Sequence, residues 1–69
     1  MNWTIQRICP REESVFLQNM GSGVIRQISV PGAASAVFEG NDLVIHSRTG
    51  FSWLVNPDTG ARRRLLAGG

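Results

Sequence analysis

The sequence predicts an all-β protein, a small antiparallel meander of about five to seven short strands that forms a barrel or sandwich. Three observations carry this. Short runs rich in Val, Ile, Phe and Trp recur along the chain; the loops between them are short and rich in Gly, Asn, Pro and Asp; and pairing the runs through those loops gives consistent faces. An α+β fold with a short helix at 10–20 is the alternative, and oligomerisation is expected to complete either fold.

Trp3, Ile5 and Arg7 alternate with Thr4, Gln6 and Ile8, which suits a half-buried first strand ending before Pro10. Trp3 is assigned to the core. The stretch from Pro10 to Met20 allows two readings. Proline at a first helical position, Glu12 and Glu13 in the first turn and Gly21 at the end fit a helix. Ser14 to Gln18, a loop at Gly21-Ser22-Gly23 and Val24 to Val30 fit a hairpin. The hairpin is preferred, because Val15, Phe16 and Leu17 in succession suit a strand covered on both sides. In addition, Ser14 to Gly32 repeats the layout of Asp42 to Gly60. Val24, Ile28 and Val30 then face the core, and Arg26 falls on the same face. It should lie near an edge or meet a carboxylate, since an unpaired buried charge is costly.

Pro31-Gly32 turns the chain into four strands. Ala34 to Glu39 and Asp42 to Ser47 flank the two-residue turn Gly40-Asn41; Arg48-Thr49-Gly50 is a three-residue loop leading to Phe51 to Val55. Asn56-Pro57-Asp58-Thr59-Gly60, with Asp58 bracing the turn, returns the chain along Ala61 to Leu66. These turns set Phe38 opposite Leu43, Ala36 opposite Ile45, Ile45 opposite Trp53 and Leu43 opposite Val55. One face is therefore Phe38, Leu43, Ile45, Phe51, Trp53 and Val55. The other carries Val37, Val44 and Leu54 among Ser35, His46 and Ser52, and is too apolar for a free face. Residues 67–69 are expected to be a frayed tail.

The stretch from Val37 to Leu66 resembles a β-propeller blade of the quinoprotein-like or WD-like kind. The resemblance rests on Gly40-Asn41-Asp42-Leu43-Val44-Ile45, Thr49-Gly50-Phe51-Ser52-Trp53-Leu54-Val55 and Asn56-Pro57-Asp58-Thr59-Gly60. It implies one or two of the about four to eight blades of a propeller, so that a complete propeller would need several chains. Leu65-Leu66-Ala67-Gly68-Gly69 looks like the tail of ubiquitin-like modifiers, without the long central helix of that fold.

Composition narrows the function. A chain of 69 residues has a small core and usually gains stability from a disulfide, a metal or oligomerisation. With one cysteine, Cys9, and one histidine, His46, neither an internal disulfide nor a structural zinc site is expected, which leaves oligomerisation. Cys9, His46 and Asp42 or Asp58 are residue types of a nucleophilic site. However, Cys9 beside Pro10 reads as a small hydrophobe and His46 as a strand residue, so no catalytic, cofactor-binding or metal-binding residue is assigned. The net charge of +2 comes with seven arginines and no lysine, a mild excess for a polyanion binder. Arg62-Arg63-Arg64, helped by Arg48, are the candidate contacts to phosphates or an acidic partner; the competing reading is protection of a sheet edge. Val37, Val44 and Leu54 are the candidate oligomer interface. With no leader-like start and no long apolar run, a cytoplasmic location and no membrane partner are expected. The expected function is a small non-enzymatic interaction or structural module, working as a homo-oligomeric β assembly and of a size that fits a phage or mobile element. Its expected partners are itself or another protein, with nucleic acid as the alternative.

Overall fold

A computed structural model describes residues 2–65 of the chain. Seven strands follow one another: β1 (Trp3–Cys9), β2 (Ser14–Asn19), β3 (Ile25–Ser29), β4 (Ala33–Glu39), β5 (Asp42–Ser47), β6 (Ser52–Val55) and β7 (Arg62–Leu65). They form two antiparallel meanders, β1-β2-β3 and β4-β5-β6-β7. Between β1 and β2 stands a single 3-10 turn, Pro10–Glu12, in place of the helix considered over 10–20. Proline does open that turn, but Glu13 adopts a left-handed φ of 54° and redirects the chain into β2.

Turn chemistry sets the register of the larger sheet as the sequence predicts. Phe38 pairs with Leu43, Ala36 with Ile45, Ile45 with Trp53 and Leu43 with Val55. Gly40 and Gly50 supply the positive φ of the two-residue turn and the three-residue loop. The inner faces of the two sheets meet in one core. Val15, Leu17, Leu43, Ile45 and Val55 are fully buried there, with Trp3, Ile28, Val30 and Ala33 beside them and Ile5, Ile8, Phe38 and Trp53 at the margins. The thinnest dimension of the molecule is 16 Å, enough for two layers about 10 Å apart and no third.

Two irregularities let this core form. Strict alternation in β1 would bury Arg7 and expose Ile8. Instead Gln6 is an unpaired bulge residue, so Ile5 and Ile8 both turn inward while Arg7 turns outward over the ring of Phe16. A matching slip at Ala34 in β4 keeps Ala33 and Ala36 on the inner side and Ser35 on the outer side. Val24 is also displaced from its expected core position: it belongs to the β2–β3 loop and is largely exposed.

The β2–β3 loop is built like the β6–β7 loop, which corrects the layout that set Ser14 to Gly32 against Asp42 to Gly60 and so matched it with the β5–β6 loop. Asn19 Oδ1 accepts hydrogen bonds from the backbone N–H groups of Gly21 and Ser22, and Asn56 Oδ1 accepts them from Asp58 and Thr59. In each loop the glycine N–H, Gly23 or Gly60, donates to the carbonyl of its asparagine, and both glycines have φ near +78° or +79°. A hydroxyl, Ser22 Oγ or Thr59 Oγ1, then accepts the N–H of the loop's last residue, Val24 or Ala61. Asn56, not Asp58, therefore braces the second loop. Asp58 is left free to reach across the core edge, where Trp3 Nε1–H donates to its Oδ1 at 2.8 Å.

The crossover between sheets passes through Val30, Pro31 and Gly32. Its N–H groups are held by one residue: Glu13 O accepts from Val30 N–H, and Glu13 Oε2 accepts from Gly32 N–H at 2.7 Å. On the other side Gly32 O accepts from Arg48 N–H. Gly32 has φ of 73°, and a Cβ there would come within 2.5 Å of Ser47 Oγ. Ser47 Oγ is itself committed to the carbonyl of Pro31. Gly32→Ala should therefore destabilise the fold by about 2 kcal/mol or more, and clearly more than Gly23→Ala, where open space leaves only the φ penalty. Urea denaturation of the two variants checks this; equal losses would show that the crossover yields easily.

Candidate functional site

The outer face of β4-β5-β6-β7 is the most distinctive surface. Alternation places Val37, Val44 and Leu54 side by side on it, and the pairings Val37–Val44, Val44–Leu54 and Leu54–Arg63 continue the row across four strands. Val44 is only 5% exposed although no further layer of the described residues covers it, so its shielding comes from the neighbouring side chains of the same face. Val37 remains 47% exposed, Leu54 is half-buried, and Leu65 stands on the same face. Glu39 and Asp42 border the row at one end. At the other end Ser35, His46 and Ser52 form a polar row, in which His46 Nδ1 and Ser52 Oγ share a hydrogen bond of 3.0 Å. The three residues proposed from the sequence as an interface are thus brought together.

The arginines do not form one surface. Arg62 pairs with Val55 and Arg64 with Trp53, so both lie on the inner side of β7, while Arg63 lies with Leu54 on the outer side. Arg62 spans the open side of the sandwich, its Nη1–H donating to the carbonyl of Ser29 on β3. Arg64 stacks over Phe51, 4.8 Å from the ring centroid. Arg48 faces Glu13 Oε2 at 3.7 Å, an ion pair with both side chains about half exposed and so of little energetic weight. Arg26 does lie on an edge strand, as its position on the apolar face required, and it finds an aromatic partner: its guanidinium is 5.7 Å from the Trp3 ring.

Cys9 and His46, named from the sequence as residue types of a nucleophilic site, are not brought together. Cys9 pairs with Ser14 on the outer face of the three-stranded sheet, whereas His46 is on the outer face of the other sheet. Beside Cys9, buried Ser14 is satisfied by Ser29 Oγ, Gln27 Nε2–H and the Glu12 carbonyl. Among the described residues, no three His, Cys, Asp or Glu side chains gather as a metal-binding group, and no helix is long and apolar enough to cross a membrane. A shallow cleft lined by Asn2, Trp3, Phe38, Asn41 and Asp58 lies at one end of the core, around the Trp3–Asp58 hydrogen bond. Most of the ubiquitin-like tail, from Leu66 onward, lies outside the described residues, as does the expected fraying of 67–69. Comparison with protein-family models, curated proteins and solved structures finds no match to this chain.

The division of labour among the arginines is testable. Arg62→Ala removes a charge-assisted bond between the two sheets and should cost about 1 kcal/mol in urea denaturation, whereas Arg63→Ala should leave the monomer's stability within about 0.5 kcal/mol of the parent. Equal effects would mean that Arg62 does not tie β7 to β3.

Proposed function

We propose that the protein is a small non-enzymatic interaction module that works as a homo-oligomeric β assembly, using the outer face of its four-stranded sheet. One observation carries this reading: the row Val37, Val44 and Leu54 runs across three strands of a face that no other element covers among the described residues. A solvent-facing sheet would carry polar residues at these positions. The magnitudes set the strength of the contact. Burying a half-exposed valine or leucine yields about 1 kcal/mol, and association costs about 4 kcal/mol or more in lost freedom. Several such residues from each copy are needed to exceed that cost, so the contact is weak and assembly is expected toward millimolar concentration, not at nanomolar.

Contact with phosphates or an acidic partner through Arg62, Arg63, Arg64 and Arg48 is the second reading, and it has less support. Three of those side chains already have partners within the chain, and the run is split between two faces.

Light scattering over a range of concentrations tests the proposal. The parent should rise above the mass of one 7.5 kDa chain. Val37→Lys, at a position already half in solvent, should keep the cooperative melting of the parent and remain one chain. A parent that stays monomeric at millimolar concentration, or a Val37→Lys variant that assembles as the parent does, would overturn it.

A further inference from the structure

We infer that copies of this chain stack head to tail, the outer face of the four-stranded sheet of one copy receiving the outer face of the three-stranded sheet of the next. The inference rests on the reading of Val37, Val44 and Leu54 as a self-association face, and it names the surface that this face meets.

The two loops built alike mark two equivalent units of the chain. Asn19 and Asn56 stand 37 positions apart, and the meanders around them, β1-β2-β3 and β5-β6-β7, match pair by pair once the bulge residue Gln6 is passed over. In the first, Leu17 lies between Ile5 and Arg26; in the second, Leu54 lies between Val44 and Arg63. Each row is thus a β-branched aliphatic residue, a leucine and an arginine on the last strand. Their surroundings are opposite. Leu17 is fully buried against the other sheet, while Leu54 points away from it.

Two like units facing each other about a two-fold axis would bury the same row in both. Here the row buried in the first unit is the open row in the second, so the units follow one another as successive members of a stack. In such an arrangement each unit contacts its neighbours through two different faces, and the open face of the last unit is shaped for one more. The incoming face must be the counterpart of the inner face of β5-β6-β7. In this chain that counterpart is the outer face of β1-β2-β3, where Arg7, Phe16 and Gln27 occupy the places of Ile45, Trp53 and Arg64.

Charge agrees with this pairing. Arg7 is the one charged residue among the paired outward positions of β1, β2 and β3, and the face it would meet carries the two carboxylates Glu39 and Asp42 against the single arginine, Arg63, at the β7 end of the row. The incoming face offers Phe16 and half-exposed Ile25 as its apolar contacts. The occupant is accordingly a second copy of this chain, approaching through a heterologous contact that yields a ring if the rotation closes and an open stack if it does not.

Complementation between two variants provides the test. Val37→Lys disables one face, and Phe16→Lys disables the other; Ile25→Lys repeats the second change at a half-exposed position in case Phe16→Lys does not fold. Each folded variant alone should remain one chain. Mixed in equal amounts, Val37→Lys with Phe16→Lys or Ile25→Lys should double in mass to a pair of chains and stop there, because each partner retains one working face. If the Phe16 and Ile25 variants assemble like the parent and mixing adds nothing, the contact is two-fold between like faces; head-to-tail stacking is then wrong while self-association stands. If the parent itself is monomeric at millimolar concentration, both readings fall.

Discussion

The two sheets of this protein bury their apolar faces against one another, and that constraint accounts for most of its construction. A three-stranded and a four-stranded meander, each with one strongly apolar face, reach adequate burial only by closing those faces on one another. Val15 and Leu17 from one sheet and Leu43, Ile45 and Val55 from the other are fully buried as a result. The polar contacts between the sheets stand at the margins of this core. Trp3 reaches Asp58 at one end, Glu13 fastens the crossover at Gly32, and Arg62 spans the open side to Ser29. Each adds a directional bond where apolar packing runs out.

The same constraint explains the bulges. A core drawn from both ends of β1 and of β4 needs more inward positions than strict alternation provides, and one extra residue in each strand resets the phase. These bulges fall on the two strands that lie against each other at one side of the sandwich, where they also disturb edges that could otherwise pair with another chain. On the opposite side β3 is tied to β7 by Arg62, and β7 carries the arginine run. All four edges are therefore managed, and the outer face of the four-stranded sheet is the apolar surface left open among the described residues.

Much of this was legible in the residues. Gly40-Asn41 and Arg48-Thr49-Gly50 dictate hairpins of fixed length, so the pairings of Phe38, Leu43, Ile45, Trp53 and Val55 follow from counting. The outward row of Val37, Val44 and Leu54 follows from the same count. What was hidden is non-periodic. Nothing in the composition of β1 marks Gln6 as the extra residue; only the mismatch between a buried arginine and an exposed isoleucine hints at it. The equivalence of the two asparagine loops could have been read from Asn-x-x-Ser/Thr-Gly at 19–23 and 56–60, a spacing that fixes which side chain braces which turn. The roles of Glu13 and of the individual arginines depend on long-range neighbours, which no local pattern encodes.

If two sheets share one core, they must unfold together. Native-state hydrogen exchange measures this most directly, residue by residue. The amides of Val15 and Leu17 in the small sheet and of Leu43 and Ile45 in the large one are all buried in the same core, so they should exchange with the same opening free energy, equal to that of global unfolding. Exchange of Val15 and Leu17 at a distinctly lower free energy, with Leu43 and Ile45 still protected, would show that the three-stranded sheet opens on its own and would contradict the shared core.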